Sequence, residues 1–161
     1  QDGPMPGSTP DDVAAIERLQ SAYADVVNRR EWGELDRLFR PDAVIRIDTV
    51  TRPVFELVGP VALGEFIGSA VERFAFFEFV RLNSHVELSV DGDADVATAR
   101  LFMCEVRRDV DTLDWSVAYG VYHDRYRRDS VAWRFDRRDY QSLTRTDGEV
   151  FPFPHRTGRS D

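Results

Sequence analysis

Residues 76–144, FFEFVRLNSHVELSVDGDADVATARLFMCEVRRDVDTLDWSVAYGVYHDRYRRDSVAWRFDRRDYQSLT, decide the fold. Four strand-like segments run through them: 76–90, 96–109, 115–127 and 131–144. In the first, Val80, Leu82, Val86, Leu88 and Val90 alternate with Phe79, Arg81, Asn83, His85 and Glu87, the period of two expected of a strand. Asp91-Gly92-Asp93 supplies a hairpin turn, and 109–114 and 128–130 supply two more. Upstream the period changes. From 61 to 74, Leu63, Phe66, Ile67, Ala70, Val71 and Phe74 recur at helical spacing, after a short strand at 54–58 that Gly59-Pro60 ends. Ala43, Ile45 and Ile47 alternate as another strand, and Pro41 closes a short helix running from Trp32 to Phe39. Before that, Val13, Ile16, Leu19, Tyr23, Val26 and Val27 form one stripe of an amphipathic helix over 12–29, which Thr9 or Asp11 can cap. Two helices, a strand pair, a helix and a four-strand meander predict an α+β fold. A cone-shaped, curved antiparallel β-sheet carries three helices over its concave face, with a cavity between.

The same punctuation sets the domain limits. Residues 1–10 hold three Pro and two Gly and read as a disordered N-terminal segment, with Met5 as the natural start and Gln1–Pro4 as residues added ahead of it. The domain is expected over 11–145, followed by a C-terminal tail over 146–161 whose Phe151 and Phe153 are expected to dock on a neighbouring surface.

Composition excludes several function classes. A net charge of −8 argues against nonspecific nucleic-acid binding, which requires a clustered basic surface. No apolar run is long enough to span a bilayer, no signal peptide is evident, and a soluble cytoplasmic protein is the expectation. Cys104 is the single cysteine, so neither an intrachain disulfide nor a cysteine zinc site can form. All 21 basic residues are Arg. Without lysine there is no Schiff base and no P-loop. The three His, at 85, 123 and 155, show no ligand spacing, so neither a metal nor a cofactor is expected.

Three strings carry a family resemblance. They are IERLQSAYAD at 16–25 with EWGELDRLFRPDAV at 31–44; VDGDA at 90–94 with ATA at 97–99; and GVYHDRY at 120–126 with Trp133-Arg134-Phe135 and Arg137-Arg138. Together they resemble the SnoaL-like branch of the nuclear transport factor 2-like superfamily over nearly all of 11–145. That resemblance implies the cone-shaped fold. It also implies a choice among dehydratases, polyketide cyclases, ketosteroid isomerases, epoxide hydrolases and noncatalytic modules that the pocket must settle.

In the dehydratases of this superfamily a pocket His removes a proton beside a carbonyl, helped by a carboxylate and Tyr. His suits the task because it titrates near neutrality, and a Tyr hydroxyl can stabilise the enolate oxygen. The candidates here are His85 as base, Tyr23 as oxyanion donor, and Glu105 or Asp139 as orienting acid. Hairpin counting sets His85 opposite residue 99 or 100 and Glu105 near Phe79–Val80; strand parity turns His85 away from the apolar face unless a bulge re-aims it. Tyr119 and His123 share a face with Trp115, Val117 and Val121, and Trp133 shares one with Asp139. With Asn28, which stands where the scytalone dehydratase pattern has Asp, these are candidate ligand contacts. Arg138-Asp139-Tyr140 resembles the limonene epoxide hydrolase branch at the Asp alone. The expected function is therefore a cofactor-independent lyase, isomerase or cyclase acting on a hydrophobic polyketide- or steroid-like substrate. The alternatives are a noncatalytic binding or dimerisation module, or an epoxide hydrolase using Asp139. The expected assembly is a homodimer or higher homo-oligomer.

Overall fold

The computed structural model describes residues 10–130 and 132–153; the expected cap at Thr9 and the terminal segment 154–161 with His155 lie outside them. Helix α1 (Pro10–Arg29) opens on Pro10, whose missing N–H costs nothing in a first turn, and buries Ile16, Leu19, Tyr23, Val26 and Val27. Asp12 accepts hydrogen bonds from Arg128 Nη1 (2.8 Å) and Trp133 Nε1 (3.0 Å), tying the start of α1 to the sheet. The second helix is shorter than expected. It is a 3-10 turn over Trp32–Arg37, and Phe39 already begins strand β1 (Phe39–Asp48). Pro41 therefore sits inside β1, within a register slip between Phe39 and Val44 where its missing N–H is tolerated.

Strand β2 (Phe55–Val58) leads into helix α2 (Gly59–Val71), with Pro60 in its first turn. Gly59 has φ +84°, and a Cβ there would lie 2.8 Å from the Pro41 carbonyl oxygen, so this junction requires glycine. The meander follows as β3 (Phe74–Leu88), β4 (Val96–Asp109), β5 (Trp115–Arg128) and β6 (Trp133–Arg145). All six strands form one curved, unclosed sheet in the order β2-β1-β6-β5-β4-β3. Pairing is antiparallel except between β1 and β6, which run parallel, so the sheet is mixed.

Bulges set which side chains face the helices. In β3 the register slips between Arg81 and Ser84. Phe77 and Phe79 face inward before the slip, and Val86 and Leu88 after it. A second slip in β6, opposite Arg125 and Tyr126, moves the inward set from Trp133 and Phe135 to Arg138, Tyr140 and Ser142. Tyr23 from α1 fills the centre of the core, with ring centroids 5.4 Å from Phe79, 5.9 Å from Phe39 and 6.0 Å from Phe135. Beyond β6 the chain folds back over the outer face of the sheet. Phe151 N donates to Leu143 O, and the Phe153 ring lies 5.9 Å from Phe102 and 6.0 Å from His123.

Candidate active site

Between α2, the N-terminal half of β3 and the concave sheet lies a cavity of about 400 Å³. Its walls are apolar: Leu63, Phe66 and Ile67 from α2, Phe74, Phe77 and Phe79 from β3, and Ile45 and Ile47 from β1. Its floor is not. Tyr23, Tyr122, Tyr140, Glu105 and Arg138 face it, and Arg73, Arg107 and Arg145 stand toward its mouth.

Arg138 organises the floor. It is 1% exposed, and Asp124 holds it in a bidentate pair, accepting from Nε at 2.8 Å and from Nη2 at 2.9 Å. Asp124 also accepts from the Tyr126 hydroxyl (2.9 Å), which accepts from Gln20 Nε2 (2.9 Å), so the chain of contacts ends on α1. Burial pulls the guanidinium toward neutrality, but Asp124 outweighs it, and Arg138 stays charged above its ordinary range. Three aromatic faces surround this cation, at 3.8 Å for Tyr122, 4.3 Å for Tyr23 and 4.5 Å for Phe135. Its Nη1 forms no well-aligned hydrogen bond among the described residues.

The tyrosines are held as donors. Burial raises Tyr23, against the opposing pull of Arg138 and of a hydrogen bond with Tyr122. Burial lifts Tyr122 well above the ordinary phenol range, with Tyr23 adding to it, and raises Tyr140 with help from Glu105. All three keep their protons at neutral pH, so each can donate to an oxygen that gains negative charge. Tyr140 lies flat across β5 because Gly120 has no side chain; a Cβ there would strike the Tyr140 ring.

Glu105 is the one carboxylate among the described residues lining the cavity. It stands opposite Phe79 on β3 and Ala118 on β5, and a quarter of its side-chain surface is exposed. Burial pushes its carboxyl above the ordinary Glu range, and Arg107 and Arg145 only partly offset this. The nearest cation is Arg107, whose Nη1 is 3.8 Å from Oε2, beyond a direct hydrogen bond. A carboxylate raised by burial is a stronger base than a free one, and once ionised it can take a proton from carbon.

The structure separates the residues expected from sequence. Tyr23 and Glu105 both line the cavity. His85 does not. The slip between Arg81 and Ser84 does re-phase β3, yet it brings Val86 inward and leaves the His85 side chain 60% exposed, with Nε2 3.5 Å from Glu87. His123 and Asp139 share its fate. Arg46, Asp139, His123, Arg100 and His85 form one row across β1, β6, β5, β4 and β3, and paired residues in a sheet share a face. That face is the outer one. Asp139 is buried there against Arg137, with 2.9 Å between Oδ1 and Nε, and His123 lies under Phe153. Tyr119, opposite Cys104, is also on the outer side and 44% exposed. Trp133 is inward but far from the cavity, donating to Asp12. Asn28 binds backbone: Oδ1 accepts from Phe79 N (2.7 Å) and Nδ2 donates to Phe79 O (3.0 Å), which pins α1 to β3.

Arg138, Asp124, Tyr122, Tyr140, Arg107 and Arg145 were missed. For Tyr122 and Asp124 the error was one of parity on β5. A signal was available: pairing across the 109–114 turn sets Met103 opposite Gly120 and Leu101 opposite Tyr122. Since Leu101 and Met103 are inward, Tyr122, Asp124 and Tyr126 must be too. Among the described residues no group of three or more His, Cys, Asp or Glu could hold a metal ion, and no helix is long and apolar enough to cross a membrane.

A curved sheet under three helical segments, enclosing a cavity floored by ionisable groups, defines the nuclear transport factor 2-like class of α+β proteins. Within that class the SnoaL-like domain family matches residues 9–139, and the chain belongs to that family. No curated protein sequence matches. Several solved structures share the fold. One is a protein provisionally assigned as a scytalone dehydratase from Novosphingobium aromaticivorans, with 21% identity over 94% of this chain and 96% of that one and a TM-score of 0.74. Another is the hexachlorocyclohexane dehydrochlorinase LinA-type3 from Novosphingobium barchaimii, with 21% identity, coverage of 89% and 96%, and a TM-score of 0.70. A third is a nuclear transport factor 2-like protein with a cystatin-like fold from Novosphingobium aromaticivorans, with 20% identity, coverage of 83% and 82%, and a TM-score of 0.62. At these identities the likeness is one of fold.

Proposed function

We propose that this SnoaL-like protein is a cofactor-independent enzyme of the lyase or isomerase class that removes a proton beside a carbonyl of a hydrophobic small molecule. The observation that carries this reading is Glu105, a carboxylate with a raised pKa facing an apolar cavity beside three protonated tyrosines. The ionised Glu105 takes the proton from the carbon next to the carbonyl. The C–H electron pair moves into the new C=C bond, and the carbonyl pair moves onto oxygen. Tyr122, Tyr23 and the fixed charge of Arg138 meet that oxygen at the floor. Return of the proton from Glu105 to a different carbon completes an isomerisation. In a dehydration the enolate pair re-forms the carbonyl, the C=C pair shifts to expel a β-hydroxyl, and Glu105 gives its proton to that hydroxyl as it leaves as water. Glu105 thereby takes the part expected of His85. Dehydrochlorination and dehydration, named for two of the neighbours, both remove a proton from carbon.

Hydrogen–deuterium exchange in D2O, followed by proton NMR on a panel of bicyclic ketones such as 2-decalone, tests it. The protein should accelerate exchange beside the carbonyl, and Glu105→Gln should lose on the order of 10²–10⁴-fold. Exchange at the buffer rate with every ketone, or at an undiminished rate in the variant, contradicts the reading. A binding module without chemistry is the second reading, favoured by Asn28, whose side chain is committed to the Phe79 backbone where the dehydratase pattern has an acid. Epoxide hydrolysis through Asp139 draws no support from a carboxylate on the outer face.

A further inference from the structure

Five arginines and one carboxylate line the cavity of a chain whose net charge is −8. Arg138 is neutralised by Asp124. The others near the mouth are not matched in this way. Arg107 donates Nε to Ser116 Oγ (3.2 Å) and approaches Glu105 only to 3.8 Å. Arg73, 66% exposed, reaches Asp109 only at 3.7 Å. Arg145 forms no ion pair among the described residues. Arg73 and Arg107 are nevertheless held in place. The guanidinium groups of Arg73 and Arg107 lie over the Phe74 ring, at 5.1 Å and 5.2 Å from its centroid, and Phe74 stacks on Phe77 at 6.0 Å. Arg145 is opposite Ala118, which is opposite Glu105, and the small Ala118 leaves open the space above the sheet that both long side chains enter. Arg145 and Arg73 both press Arg107 toward losing its proton, as like charges do at close range, in addition to burial.

We propose that the substrate is an amphipathic anion: an apolar body with a carbonyl at the Tyr122–Arg138 floor and a carboxylate held between Arg107 and Arg145 at the mouth. This rests on the reading of the cavity as the proton-transfer site. A planar carboxylate matches the guanidinium fork and accepts two parallel hydrogen bonds from it. The aromatic wall of Phe74 and Phe77 begins directly beside Arg107, so a head and a body can be accommodated together. A neutral hydrophobe would leave the charged mouth without a partner.

Binding of 2-naphthoate and of its neutral counterpart 2-naphthamide, by isothermal titration calorimetry at 50 mM and 500 mM salt, tests the proposal. The carboxylate should bind at least about tenfold more tightly than the amide at low salt, with the advantage shrinking at high salt. Arg145→Gln should remove most of that advantage and leave amide affinity unchanged. Equal affinity for the two probes, or an Arg145→Gln variant that weakens both alike, overturns the anionic substrate. The proton-transfer reading would survive that result, because the cavity still takes the amide and exchange into neutral ketones does not involve the mouth. Failure of both probes to bind overturns the two readings together.

Discussion

Replacing Asp124 by Asn removes the charge opposite Arg138 while preserving shape. In the folded protein Arg138 is 1% exposed and loses both charge-assisted bonds, at 2.8 Å and 2.9 Å, or keeps at best one weaker contact to the amide oxygen. The three aromatic faces around it attract the cation but accept no hydrogen bond from it in the plane of the guanidinium. Breaking a buried ion pair from one side costs about 3–5 kcal/mol, because the remaining charge stays desolvated. At roughly 2–4 °C per kcal/mol for a chain of this size, the thermal midpoint should fall by about 6–20 °C. Circular dichroism melts at neutral pH, with urea titration for the free energy, measure the loss. The double variant Asp124→Leu/Arg138→Met should recover most of the stability, since well-packed apolar replacements of a buried pair are often neutral, and should stay inactive in ketone exchange. A loss below about 1 kcal/mol for Asp124→Asn would refute the reasoning, since an unpaired cation could not then be buried at this site.

Glu105→Gln should behave in the opposite sense on stability. The Glu105 carboxyl is raised by burial, so its ionisation opposes folding; the cost is absent below the ordinary Glu range and appears as pH rises through the folded value. The variant should therefore melt higher than the wild type at pH 8 and lose that advantage at pH 4, and an advantage larger at pH 4 would refute the sign. Gly120→Ala forces a methyl group into the Tyr140 ring. It should cost about 1–3 kcal/mol in urea unfolding and lower exchange activity; full stability and activity would show that the ring does not need this glycine. His85→Ala, on the outer face and well exposed, should change stability by less than about 0.5 kcal/mol and leave ketone exchange intact. An inactive but folded variant would return His85 to the mechanism.

Periodicity made the frame readable. The stripe of α1 and the bounds of β4 were legible because one face of each is buried and the other is wet, which writes the period directly into residue type. Hairpin counting sets Glu105 near Phe79–Val80 and His85 opposite residue 99 or 100, and the structure pairs Glu105 with Phe79 and His85 with Arg100. The parallel pairing of β1 with β6 carries no local signature, because it depends on which free edge the first strand meets. The side of β5 that faces the cavity was obscured by Trp115, Val117, Tyr119 and Val121, an outer row nearly as apolar as the inner one and partly covered by the returning tail. The inner side instead holds Tyr122, Asp124 and Tyr126, whose polarity suggests solvent until Arg138 is seen to satisfy it. The bulges in β3 and β6 hid the rest, since each reverses the alternation partway along its strand.

Titration of the Glu105 side-chain carboxyl by carbon-13 NMR, set beside the pH dependence of ketone exchange, tests the proton-transfer site most directly. Glu105 should titrate above 4.5, the ordinary glutamate value, and exchange should rise with pH at the same midpoint. A Glu105 midpoint at or below 4.5, or a rate profile that ignores it, would contradict the assignment of this carboxylate as the base.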